Sequence, residues 1–227
     1  MSKFDLLETK GEWQSADRPL AVHIYPNNAR DVSAAKGFVK DGITQLLDQL
    51  FGGPIDFYEI YYFYDYRYFP RKSSEDAESL YREFKSWYQG KYDHRIGVHL
   101  VTDTEVLGGR SDGGDGTTLN SFNNARCCAA GSDYSGSEGR STAAHETLHS
   151  IINNELPGVK DMLPDGDEHY LGKVYSDGNT ASPLANNDNE VSSKGDCSAD
   201  REQDTESTTI TSCAYDAVQL TSDDAFE

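Results

Sequence analysis

At 227 residues, 36% of them hydrophobic and 11% aromatic, the chain is long enough for one generous domain or two small ones and has the composition of a folded protein. Its formal net charge is −19 and unevenly placed: residues 1–100 are net −2, residues 101–227 net −17. Such a surface repels nucleic acid and anionic membranes, which excludes both as partners, and it suits a protein kept soluble in high salt, so a halophilic origin is expected.

Residues 1–18 are polar and read as a loose arm. Leu20 to Tyr25, L-A-V-H-I-Y, has strand composition and stops at Pro26-Asn27-Asn28. Asp31 to Phe51 is an amphipathic helix, with Val32, Ala35, Phe38, Val39, Ile43, Leu46, Leu47 and Leu50 near helical spacing, ended by Gly52-Gly53. Phe57 to Phe69 is the most aromatic run and reads as a strand whose tyrosines pack against helices. Ser73 or Ser74 caps a second helix over 74–92, with Ala77, Leu80, Tyr81, Phe84 and Tyr88 on one stripe. Arg95 to Val101 is a buried strand. His23 and His99 fall inside strands and are expected to be structural.

Gly108 to Thr118 is a glycine-aspartate loop. Asp112 and Asp115 are what calcium would use there, but the EF-hand spacing is absent, so a plain flexible loop is expected. Phe122 to Ala130 reads as a strand and Ser141 to Glu155 as a helix, with Ser141 or Thr142 as its cap. The remainder is loop-rich and acidic until a short last helix, Cys213 to Thr221.

Cys197 and Cys213 stand 16 residues apart in a Ser/Thr/Asp-rich tail, the pattern of a disulfide-stapled loop. No C-x-x-C pair exists, so a four-cysteine zinc site is not expected. A disulfide argues for a secreted or cell-surface location. The first residues, M-S-K-F-D-L-L-E-T-K-G, hold no apolar core of a signal peptide, and no apolar run of 18 residues occurs, so no membrane span is expected.

The chemistry lies in His145-Glu146-Thr147-Leu148-His149, an H-E-x-x-H motif. Residues four apart share a helix face, so both imidazoles can hold one ion from adjacent turns while Glu146 reaches a water on it. Leu148, Ile151 and Ile152 form the stripe that buries the helix. A catalytic zinc takes three protein ligands and keeps one position open. Three candidates for the third follow: Glu155, six residues after His149; Glu168, nineteen after; and His169, favoured because imidazole suits zinc.

With these residues in view the chain resembles a zincin-type zinc metalloprotease. The order β-α-β-α-β-β before an H-E-x-x-H helix is similar to the zincin N-terminal subdomain. H-E-T-L-H, D-E-H-Y-L-G-K-V, S-P-L-A and a two-cysteine tail resemble zinc metalloproteases of halophilic archaea. Ser182-Pro183-Leu184 stands in a place comparable to the metzincin Met-turn, with Leu184 where methionine is expected. The resemblance implies an α+β fold: an arm over 1–18, a zincin-like subdomain over 19–156 with a mixed sheet and two packing helices, and a loop-rich acidic subdomain over 157–227. It further implies His145, His149 and His169 as zinc ligands and Glu146 as general base. Asp167, Glu168 or Glu155 would orient a ligand imidazole. Tyr170 and Tyr175 are oxyanion candidates.

A monomeric peptidase acting on peptide or protein is thus the leading expectation. The alternative is a non-catalytic extracellular binding domain with a structural metal site.

Overall fold

The computed structural model describes residues 4–27, 31–63, 76–89, 96–103, 106, 109–111, 121–122, 124–131, 137–163, 168–172, 180–184, 205–206 and 208–227; at 31, 32, 137, 138, 169, 170, 180, 181, 205 and 206 only the backbone is described. In chain order the strands are β1 (Phe4–Lys10), β2 (Pro19–Pro26), β3 (Phe57–Phe63), β4 (Gly97–Asp103), β5 (Gly109–Ser111) and β6 (Ala125–Gly131), with short strands β7 (Thr180–Ala181) and β8 (Thr205–Glu206) forming a separate pair. The helices are α1 (Asp31–Ala34), α2 (Lys40–Leu50), α3 (Ala77–Gln89), α4 (Ser137–Ile151), α5 (Pro157–Lys160) and α6 (Ser212–Phe226).

The six longer strands form one mixed sheet in the order β1-β3-β2-β4-β6-β5. The four inner strands run parallel, and an antiparallel strand closes each edge. Helices cover both faces, which is why inner strands such as G-V-H-L-V-T-D are buried along their whole length. On one face Val98, Leu100 and Cys128 meet Ile43, Leu46 and Leu47 of α2, Ala143 and Leu148 of α4, and Ala217 of α6. On the other, Tyr25, Val101 and Cys127 meet Leu80, Phe84 and Tyr88 of α3. An α-and-β architecture with a mixed sheet is what the sequence led us to expect at this coarse level.

His99 behaves as expected of a structural histidine. Its Nδ1 lies 3.1 Å from the Tyr25 hydroxyl and its Nε2 2.8 Å from that of Tyr88. His23, its cross-strand neighbour, stacks on it at 4.8 Å and on Tyr61 at 5.2 Å.

Several boundaries differ from the expectation. The supposed arm contains β1, paired with β3, and a 3-10 turn at Trp13–Ser15. An edge strand keeps one side in water, so its composition is polar and it hides from a hydrophobicity pattern. The first long helix is interrupted: a π-helical turn over Ala35–Val39 contains Gly37 at φ −101°, ψ −114°, outside helical values. Within the expected glycine-aspartate loop, residues 109–111 are strand β5; Asp112 and Asp115 lie outside the described residues. The motif helix runs from Ser137 to Ile151, so Ser141 is buried within it rather than capping it, and Glu155 lies past its end. Phe122 sits in a turn before β6, packed on Phe226 of α6. The last helix runs on to Phe226, capped by Thr211, whose side chain accepts a hydrogen bond from Ala214 N at 3.0 Å.

α4 crosses α2 at very short range. A Cβ added to Gly42 would lie 2.3 Å from the Arg140 carbonyl oxygen, so glycine is what lets the two backbones meet there.

Candidate metal centre

α4 is buried nearly all round, between the sheet, α2 and α6. Ala143, Ala144, Leu148 and Ile151 supply its apolar surface. Two of its buried hydroxyls are satisfied within the helix: Thr147 Oγ1 donates to Ala143 O at 2.7 Å and Ser150 Oγ to Glu146 O at 3.0 Å.

One turn apart, His145 and His149 bring their Nε2 atoms to 3.0 Å of each other, with ring planes at 73°. The Nδ1 atom of each ring is engaged elsewhere. His145 Nδ1 donates to the Pro183 carbonyl oxygen, which can only accept and so fixes the hydrogen on Nδ1. His149 Nδ1 lies 2.5 Å from Glu168 Oε2. With Glu168 ionised, both Nε2 lone pairs therefore converge on one region. Two lone pairs at this separation repel unless a cation, a proton or a metal ion, lies between them. Two nitrogen ligands of a tetrahedral zinc, each about 2.05 Å from it, stand about 3.3 Å apart, so the pair needs to open by only a few tenths of an ångström to hold one. His145 is partly exposed while His149 is buried, so the region is open on one side.

Glu146 lies beside this pair. Its Oε1 is 3.8 Å from His145 Nε2 and its side chain is buried. Burial pushes the carboxyl up to about 8; the positive charge of Arg110 and a hydrogen bond from Ser111 pull it down, and the nearby Glu168 carboxyl pushes it up further.

Glu168 opens a 3-10 turn, Glu168–Leu171. Its carboxylate sits on the Nδ1 side of His149, the role of an orienting group rather than that of a donor on the Nε2 side. That turn is held from behind: Thr211 Oγ1 donates to the Leu171 carbonyl. The backbone of His169 belongs to the same turn, one residue from Glu168, but its side chain lies outside the described set, as do the side chain of Tyr170 and all of Asp167, Tyr175 and Cys197. The Glu155 carboxylate is engaged by Lys160 at the surface. Among the described residues no three His, Cys, Asp or Glu side chains form a metal-holding group, so the two histidines are the donors in view. Cys213 is disulfide-bonded, whereas Cys127 and Cys128 are buried cysteines that form no disulfide, on opposite faces of β6.

The chain matches no protein-family model and no curated protein. What it can do is therefore argued from the site.

Three contributors to the site escaped the sequence reading. Gly109 and Ser111 come from the stretch taken as a loop, and the glycine pair at 108–109 was the only hint of a close backbone approach. Pro183 was noted for its position; that its carbonyl would hold His145 could not be read from residue type.

Proposed function

We propose that this chain is a zinc-dependent metallopeptidase, a hydrolase in which Glu146 would serve as general base toward the water that a bound zinc would activate against a peptide bond. The observation that carries the reading is the 3.0 Å convergence of His145 and His149 Nε2 with both Nδ1 atoms engaged by Pro183 and Glu168. The donor chemistry fits zinc: two imidazoles, each oriented through its other nitrogen. His169 is the third ligand in this reading; its backbone stands next to Glu168 in the same turn.

Zinc, when bound, acts as a Lewis acid that lowers the pKa of its water toward about 7. Glu146 takes a proton from the attacking water and returns it to the leaving amine nitrogen. A nearby dication would bring the carboxyl down into its base form. Glu168 keeps His149 facing the ion, and Pro183 does the same for His145.

The mixed sheet with its antiparallel strand on the active-helix side supports the zincin-like reading. Tyr170 and Tyr175 remain the candidates for oxyanion stabilisation. No helix among the described residues is long and apolar enough to cross a membrane. We take the protein to act as a monomer in a secreted or cell-surface setting.

The decisive variant is Glu146→Gln. Zinc content should stay at one per chain while hydrolysis of a labelled protein substrate disappears. Unchanged hydrolysis, or a wild-type chain that binds no zinc, rejects the reading; zinc without hydrolysis in the wild type favours a structural metal in a binding domain. Zinc loss in Glu155→Ala alone, and not in His169→Ala, would overturn the ligand assignment.

A further inference from the structure

Strand β5 reaches the site through Glu146. A Cβ built on Gly109 would lie 2.3 Å from Glu146 Oε1, 2.5 Å from Cγ and 2.6 Å from Cδ, well inside contact distance. Two residues along, the buried Ser111 hydrogen-bonds the same carboxyl group. Residues i and i+2 of a strand share a face, so Gly109 and Ser111 both address α4. Arg110, between them, pairs with Glu78 of α3 at 2.9 Å, and Glu78 in turn holds Arg82 at 2.6 Å. The short strand is thus anchored to the helix across the sheet by its middle residue and presses its two neighbours onto the glutamate.

We propose that β5 positions the base: the bare backbone at Gly109 makes room for the Glu146 carboxyl group, and Ser111 Oγ holds it in the orientation that turns Oε1 toward the histidine nitrogens. The inference rests on the peptidase reading and adds two positioning residues to it. The physical need is plain. A glutamate has three rotatable side-chain bonds, and at the wet side of a metal site it would populate several rotamers, only some of which reach the ion's water. A hydroxyl donor and a backbone wall select one. Both residues lie against Glu146 and act through it.

The test uses the zinc-loaded full chain and acetohydroxamic acid, a small chelator whose acidic proton passes to a base beside the metal. Its affinity is measured by titration calorimetry, and zinc affinity separately by chelator competition. Ser111→Ala should weaken acetohydroxamate about tenfold, because the carboxyl group is then no longer held where it meets the hydroxamate proton, while zinc affinity stays within about twofold. Ser111→Thr should restore binding, and Gly109→Ala should weaken it more than Ser111→Ala does, again with zinc retained. In a Glu146→Gln background Ser111→Ala should have no further effect, which a merely structural role would not produce. A silent Ser111→Ala beside a clear Glu146→Gln loss overturns this proposal alone, as does a Ser111→Ala loss that persists in the Gln background. A chain that binds no zinc, or a Glu146→Gln variant with unaltered acetohydroxamate binding, removes the peptidase reading and this proposal with it.

Discussion

Glu168 Oε2 lies 2.5 Å from His149 Nδ1, a bond that closes a loop of nineteen residues onto the motif helix. Both side chains are nearly inaccessible, so the pair is screened little by solvent and the imidazole is held in one orientation. The turn carrying Glu168 is in turn fixed by Thr211 at the cap of α6, so the C-terminal helix is mechanically part of the site.

Removing that orienting carboxylate tests its role directly. Glu168→Ala should weaken zinc binding about ten- to hundredfold yet leave stoichiometric binding at high protein concentration. Chelator competition measures the first and metal analysis the second. Complete loss of bound zinc would instead make Glu168 a ligand.

The metal-free protein should lose stability as pH rises. Glu146 has a folded-state pKa of about 8 against an ordinary carboxyl value of 4.5, so between these limits the native state holds a proton that the unfolded chain releases. The stabilisation is fully present below about pH 4.5 and is lost as pH climbs through 8. Melting temperatures of chelator-treated protein across this window should fall more steeply than those of Glu146→Gln, which does not titrate. Parallel curves would contradict the raised proton affinity of the buried carboxyl at this position.

Gly42→Ala should destabilise the fold by about 1–3 kcal/mol, because a methyl group there runs into the Arg140 carbonyl and must push α2 off α4. Denaturant unfolding reads the cost. An unchanged midpoint would mean that the two helices can slide apart without loss.

Scaffold and site should be separable at His99. His99→Phe keeps much of the ring volume but removes the nitrogens that meet the Tyr25 and Tyr88 hydroxyls, so a loss of about 2 kcal/mol or more is expected. Zinc stoichiometry should be untouched, since His99 faces α3 and the motif helix packs on the other face of the sheet. Loss of metal in a folded His99→Phe variant would contradict that division.

What the linear chain determined by itself is local. Four-residue spacing on a helix obliges His145 and His149 to share a face; this follows from the helical period and holds whatever the rest of the chain does, whereas the stripe of Leu148 and Ile151 marks only part of a helix that the fold buries nearly all round. Continuously apolar inner strands such as β2 and β4 were legible for the same reason, since burial on both faces leaves few choices of residue. The tertiary structure alone decided that Pro183 and Glu168 occupy the Nδ1 atoms, that Phe4–Lys10 is a strand, and that Gly109 and Ser111 lie against Glu146. A carbonyl, a missing side chain and a hydroxyl carry no periodic pattern. Their roles come from where the sheet edge and the C-terminal turn bring them, and contacts between segments tens of residues apart are settled by packing of the whole chain rather than by any local preference.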